Sequence, residues 1–315
     1  MALTVAHPDT RSPSSRIDLK QIWALIKAAT SSWVDDYAPS MGAALSYYTL
    51  FSIAPLLLIV ISIAGMVFGE EAARGEIFGQ LNGFMGSEAA AAIQGLLESV
   101  NKPAKGALAT IVGVALVLIG ATSVFAELQD AMDRIWRAPA RHKTTGLWAL
   151  LRTRLLSFGM ILSIGFLLMV SLVMGATLSA FSRWWSPLFT GWETVAQVIN
   201  TLFSFAITML AFAMIYKIMP RVKIAWRDVW IGAGVTAILF TAGKFLIGFY
   251  IGRSGVVSGF GAASSIVIVL IWVYYSAQIF LIGAEFTWVY AHIFGSRKGQ
   301  TRPLAEPPRY PKNKV

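Results

Sequence analysis

GAASSIVIVLIWVYYSAQIFLIGAEFTWVYAH, residues 261–292, decides the fold. The run exceeds the ~20 apolar residues a bilayer-crossing helix needs, yet it carries a carboxylate, Glu285. At ~100° per residue from Tyr274, Gln278 falls at about 40°, Glu285 at about 20° and His292 at about 0°. These polar side chains therefore share one narrow face. A charge at the centre of a membrane helix costs at least ~2.5 kcal/mol, so that face is expected to look at protein or water rather than lipid.

The rest of the composition agrees. The chain has 315 residues, 56% of them hydrophobic and only 13% charged, with mean hydropathy +0.65. Such a chain is too apolar for a soluble domain and reads as an all-α, polytopic membrane protein. It has no cysteine, which removes disulfides, thiolate metal sites and cysteine redox chemistry. The net charge of +10 could suggest nucleic acid, but no basic, aromatic-interleaved soluble module accompanies it, and no nucleic-acid partner is expected.

Taken in order, residues 1–16 read as a disordered polar tail, and 17–34 as an amphipathic helix that either lies on the membrane surface or packs on the end of the bundle. Six spans follow, over about 38–69, 107–126, 155–181, 194–218, 229–251 and 261–292, within a membrane domain of residues 17–295. Residues 296–315 read as a disordered basic tail. Pro55 lies inside the first span and is expected to kink it. Tyr48 and Ser52 sit near that proline, where they either line a wet groove or make interhelical hydrogen bonds. Residues 70–106 are expected to hold short helices, one starting at Ser87, that cap the bundle or form a lid. Asp130 with Arg134, and Asp133 with Arg137, have the spacing of ion pairs along one exposed helix.

Charge sets the orientation. Of 26 Lys and Arg, 20 fall in the N-terminal, 127–154, 217–228 and C-terminal segments and only 5 in the three other loops. The positive-inside rule then puts both termini in the cytoplasm, with anionic lipid as the partner of that face. Lys244 is the remaining cation, inside the fifth span. It either snorkels to the outer surface or marks the far end of a polar pathway, at a depth different from Glu285.

No paired-histidine metal spacing, phosphate loop, dinucleotide fingerprint or nucleophile elbow is present, so neither metal nor cofactor is indicated. Three blocks carry a resemblance. DDYAPSMGAALSYYTLFSIAPLLLIVISIAG (35–65), RIWRAP (134–139) and FGAASSIVIVLIWVYYSAQIFLIGAEFTWVYA (260–291) resemble the YihY/BrkB family of bacterial inner-membrane proteins. Ser264 departs from the family pattern, which favours glycine there. The resemblance implies six helices in the inner (plasma) membrane and a link to serum resistance. A ribonuclease label once attached to the family finds no nuclease site in this sequence, and no enzyme is expected.

The expected function is transport, channel-like conduction or lipid translocation along a polar pathway among spans one, five and six. Tyr274, Gln278, Glu285, Lys244, Tyr48 and Ser52 would line it, with Glu285 binding a cation or proton. The alternative is a non-transporting scaffold or envelope-integrity factor, in which the stripe only knits helices together.

Overall fold

The computed structural model describes residues 19–100, 123–139, 192–253, 259–260 and 263–299. The expected second and third spans and most of both tails lie outside the described residues. Among those residues every regular element is a helix. The helices are α1 (Leu19–Asp35), α2 (Ala38–Phe68), α3 (Glu70–Met85), α4 (Ser87–Val100), α5 (123–135), α6 (Trp192–Ile218), α7 (Trp226–Arg253) and α8 (Ser264–Ile293).

Three stretches among the described residues are long and apolar enough to cross a membrane, Gln197–Ile218, Trp226–Arg253 and Ser264–Ile293. They coincide with the expected fourth, fifth and sixth spans. The first expected span is a single helix of 31 residues that runs through Pro55. It starts at Ala38 with Pro39 in its first turn, where a missing N–H breaks no helical bond. Glycine ends it: Gly69 takes φ 87, and its N–H caps the Gly65 carbonyl at 2.9 Å. Gly86, at φ 86, divides α3 from α4 in the same way.

The α7–α8 pair forms the spine of the molecule. A methyl group at Gly232 would overlap the Thr287 side chain, and one at Gly283 would overlap Thr236, so each helix offers a glycine to the other's threonine. The close approach lets the buried Tyr216 hydroxyl of α6 donate to the Phe280 carbonyl at 2.8 Å and lie 2.9 Å from Thr236 Oγ1. Small residues drive such packing in lipid, where apolar side chains gain nothing from leaving solvent.

Two apolar cores flank this seam. One joins Leu25 and Ala29 of α1 to Met132, Ile135 and Trp136, Ile224, Leu281 and Trp288. The other joins Ile93 of α4 to Phe240 and Ile251 of α7 and Val269 and Trp272 of α8. Residues 70–100 are thus two helices docked on the bundle, with Ile93 and Leu97 fully buried, the geometry of a cap. The α1 helix buries Leu25, Ala29 and Ser32 against the bundle while Trp23 stays 68% exposed, so it packs on the end of the bundle and still presents an apolar outer face.

Two expectations are corrected. Ser296 and Arg297, placed in the disordered tail, are folded: Ser296 donates twice to Asp228, at 2.6 and 3.1 Å, and Arg297 donates to the Lys223 carbonyl at 3.0 Å. The Asp133–Arg137 and Asp130–Arg134 pairs along α5 are replaced by pairs between segments. Asp133 is bound by Arg221, at 2.6 Å through Nε and 2.9 Å through the backbone N–H, and Asp130 lies 4.0 Å from Arg221. The reason lies in how α5 ends. Ala138 N–H bonds to the Asp133 carbonyl and Arg137 N–H to the Arg134 carbonyl, a Schellman motif that puts Arg137 at φ 51 and swings its side chain off the helix.

A buried carboxyl pair and its arginine

Arg137 lands on Asp36. Its Nη2 lies 3.1 Å from Asp36 Oδ2, with the two side chains only 15% and 7% exposed. The guanidinium also sits over the Trp288 ring at 5.7 Å. Glu285, 0% exposed, lies near enough for its carboxyl to bear on the titration of Asp36. The cluster therefore brings three segments together: the α1–α2 junction, the end of α5 and the last third of α8.

Sequence explains why each side chain is there. Asp36 lies in the two-residue break between α1 and α2, where Tyr37 turns the chain at φ 58. Tyr37 and Arg137 are the non-glycine residues with positive φ among those described. A side chain in that region costs ~1–2 kcal/mol, a strain that persists only where surrounding contacts over-determine it and that gathers at functional sites. Here both instances flank one buried ion pair.

Burial pushes the Asp36 carboxyl above its usual range. Arg137 opposes the shift most, followed by Glu285 and by Arg134, while Asp35 adds to it. Arg134 itself lies over the exposed Tyr37 ring at 5.7 Å.

The residues of the expected stripe sit in different surroundings. Tyr274 is 38% exposed, Gln278 is closed against Gly42 of α2, and Glu285 is wholly buried near Asp36. His292 turns back on its own helix, with Nδ1 2.8 Å from the Trp288 carbonyl. Ser52 is buried, but its hydroxyl donates to the Thr49 carbonyl of its own helix at 3.1 Å, and Tyr48 edges the neighbouring Tyr47 ring. Lys244 neither floats in water nor meets Glu285. Its Nζ donates to the Gly83 carbonyl in the cap at 3.3 Å, at the opposite end of the bundle.

Sequence reasoning missed Asp36 and Arg137, although both stand inside the blocks DDYAPS and RIWRAP. Among the described residues no group of three metal-ligating side chains comes together. A shallow groove along α1, lined by Trp23, Ile26, Lys27, Thr30, Ser31, Val34 and Asp35, does not reach Glu285.

A buried acid pair in a bundle of long apolar helices defines an integral membrane protein with an ionisable internal site. Relatives agree: the chain is 29% identical over 282 residues to a UPF0761 membrane protein of Pseudomonas paraeruginosa, covering 87% of this chain and 64% of that one. It is 30% identical over 254 residues to a UPF0761 membrane protein of Psychromonas ingrahamii, covering 77% and 79%. A third, from Tolumonas auensis, is 27% identical over 256 residues, covering 80% of each. The chain spans less than two thirds of the length of the Pseudomonas relatives it matches. The family model of virulence factor BrkB matches residues 29–307, and the chain belongs to that family, as a multi-pass protein of the bacterial inner membrane. No solved structure matches it.

Proposed function

We propose that the protein is a six-span inner-membrane transporter, a category that includes channel-like proteins and lipid translocases, with the Asp36–Glu285–Arg137 cluster closing its cytoplasmic end. The observation that carries this reading is Glu285, wholly buried near a second carboxyl inside a helix able to cross a membrane. Ionisable groups held at such a site by neighbouring helices mark ion and substrate pathways by default. The contacts also support the orientation inferred from charge. Asp36, Asp133, Arg221, Lys223 and Arg297 belong to the Lys/Arg-rich segments and meet at one end, whereas Lys244 and Gly83 meet at the other. The exposed outer face of α1, with Trp23, Ile26 and Lys27, suits anionic lipid at that surface.

The test is flux in proteoliposomes: loss of flux in Glu285→Gln with folding intact supports transport. Reporter fusions near Lys102 and Lys143 should lie on opposite sides of the membrane. A scaffold without transport is favoured by a different observation, the closure of Gln278 onto Gly42. It predicts that Glu285→Gln changes stability and never flux. Neither reading requires an enzyme, a metal or a nucleic acid.

A further inference from the structure

We propose that the turn between α6 and α7 carries a binding site for the phosphodiester of one anionic phospholipid, built from Lys217, Trp226, Arg227 and Trp230.

The turn lies at the edge of the apolar layer. The stretches able to cross a membrane end at Ile218 in α6 and begin at Trp226 in α7, so Lys217 and Trp226 stand at one boundary with residues 219–225 between them. Tryptophan and basic side chains at that boundary sit at the depth of lipid headgroups.

The two tryptophans form a platform. Trp226 and Trp230, one helical turn apart, hold their ring centres 6.4 Å from each other and are 50% and 40% exposed. A turn further along, a methyl group added at Gly234 would lie 3.3 Å from the Met209 side chain of α6, so this face of α7 runs beside α6. The rings therefore line the mouth of the α6–α7 groove, where the glycerol and first acyl carbons of a lipid can rest on them.

Lys217 is positioned above the platform. Its Nζ lies 5.2 Å from the centre of the Trp226 ring and donates to the Ile224 carbonyl. An ammonium carries three donors, so that bond leaves donors for phosphate oxygens. A lysine already held by a ring and a carbonyl has given up most of its rotamer freedom before the ligand arrives, which lowers the cost of binding. Arg227 is exposed and, at ~100° per residue, stands about 60° from Trp230 around α7, so a second cation borders the same rings.

The acids of the neighbourhood turn elsewhere. Asp228 falls about 160° from Trp230, is 0% exposed, and accepts from Ser296 at 2.6 and 3.1 Å. Asp133 and Asp130 are drawn to Arg221. The patch is cationic with an apolar floor, which suits a phosphate attached to acyl chains better than a free phosphate. The site is separate from the outer face of α1 and needs neither transport nor the orientation proposed above.

The experiment is native mass spectrometry of the purified full chain in detergent micelles, titrated with phosphatidylglycerol and with phosphatidylcholine of the same acyl chains. One phosphatidylglycerol per chain should be retained more tightly than phosphatidylcholine, and millimolar inorganic phosphate should not displace it. A Lys or Arg beside an anionic headgroup is worth about fivefold in affinity, so Arg227→Gln should lose about fivefold and the double variant Lys217→Met, Arg227→Gln about 25-fold. Lys27→Gln, on α1, should leave the affinity unchanged. Equal retention of the two lipids, displacement by inorganic phosphate, unchanged affinity in Arg227→Gln, or a loss in Lys27→Gln overturns the proposal. If the double variant fails to fold, the exposed Arg227→Gln decides alone. Flux in Glu285→Gln bears on transport only, so either reading can fail without the other.

Discussion

Replacing Arg137 by methionine should remove the cation from a site that keeps its carboxyls. Across 3.1 Å, and at an effective dielectric of ~20, the Arg137–Asp36 attraction is about 5 kcal/mol. Breaking a buried pair from one side costs ~3–5 kcal/mol, because the surviving charge is left uncompensated. We expect the low end, about 3 kcal/mol, since Asp36 is already pushed towards its protonated form by burial and can neutralise itself. The assay is equilibrium unfolding of the purified protein in mixed micelles, for Arg137→Met, Asp36→Asn and the double variant. The double variant should recover more than half of the loss, and the deficit of Arg137→Met should shrink as the pH is lowered. Strictly additive effects, with coupling below ~0.5 kcal/mol, would refute the pairing as the source of stability.

Further outcomes follow from the same contacts. The folded protein holds the Asp36 proton to higher pH than the unfolded chain does. The contribution of Asp36 to stability is therefore fully present below the ordinary carboxylate range and lost as pH rises through its raised value; Asp36→Asn should abolish that part of the unfolding profile. Gly283→Ala places a methyl 2.6 Å from the Tyr216 hydroxyl and should cost ~1–3 kcal/mol, while Gly248→Ala, with open space around it, should be near neutral in the same assay. Tyr216→Phe loses its bonds to Thr236 and Phe280 and should cost about 0.6–1.7 kcal/mol, the range for polar contacts between membrane helices. Because the chain has no cysteine, Gly42→Cys with Ala277→Cys can form a single bridge. The Cβ separation of 3.7 Å fits a disulfide, and failure to cross-link under mild oxidant would contradict the α2–α8 register.

What the sequence makes legible is local. The lengths of α6, α7 and α8 and the helix start at Ser87 follow from apolar runs and caps, which depend on neighbours within a few residues. Glu285 stands out because a carboxylate inside such a run is costly wherever its partner lies. Its partner is not legible. Asp36 and Arg137 are polar residues at helix ends, where polar residues are ordinary, and nothing in their spacing links them to residue 285. The sequence even points Arg137 the wrong way, to Asp133 one turn back, because helical spacing assumes the helix continues; Arg137 occupies the left-handed position that ends it. Gln278 shares a face with Glu285 yet meets the Gly42 backbone, since a common azimuth on one helix says nothing about what each level of the neighbour offers.

The reciprocal glycine–threonine contacts between α7 and α8 also have a mechanical meaning. With each helix's side chain seated against the other's backbone at two levels, the pair cannot slide or roll without steric overlap, and it behaves as one stiff beam. Any movement that parts Asp36 from Glu285 must then come from the other side of the joint. There the chain between α1 and α2 narrows to two residues, and Tyr37, held in a backbone basin foreign to most side chains, is the natural pivot.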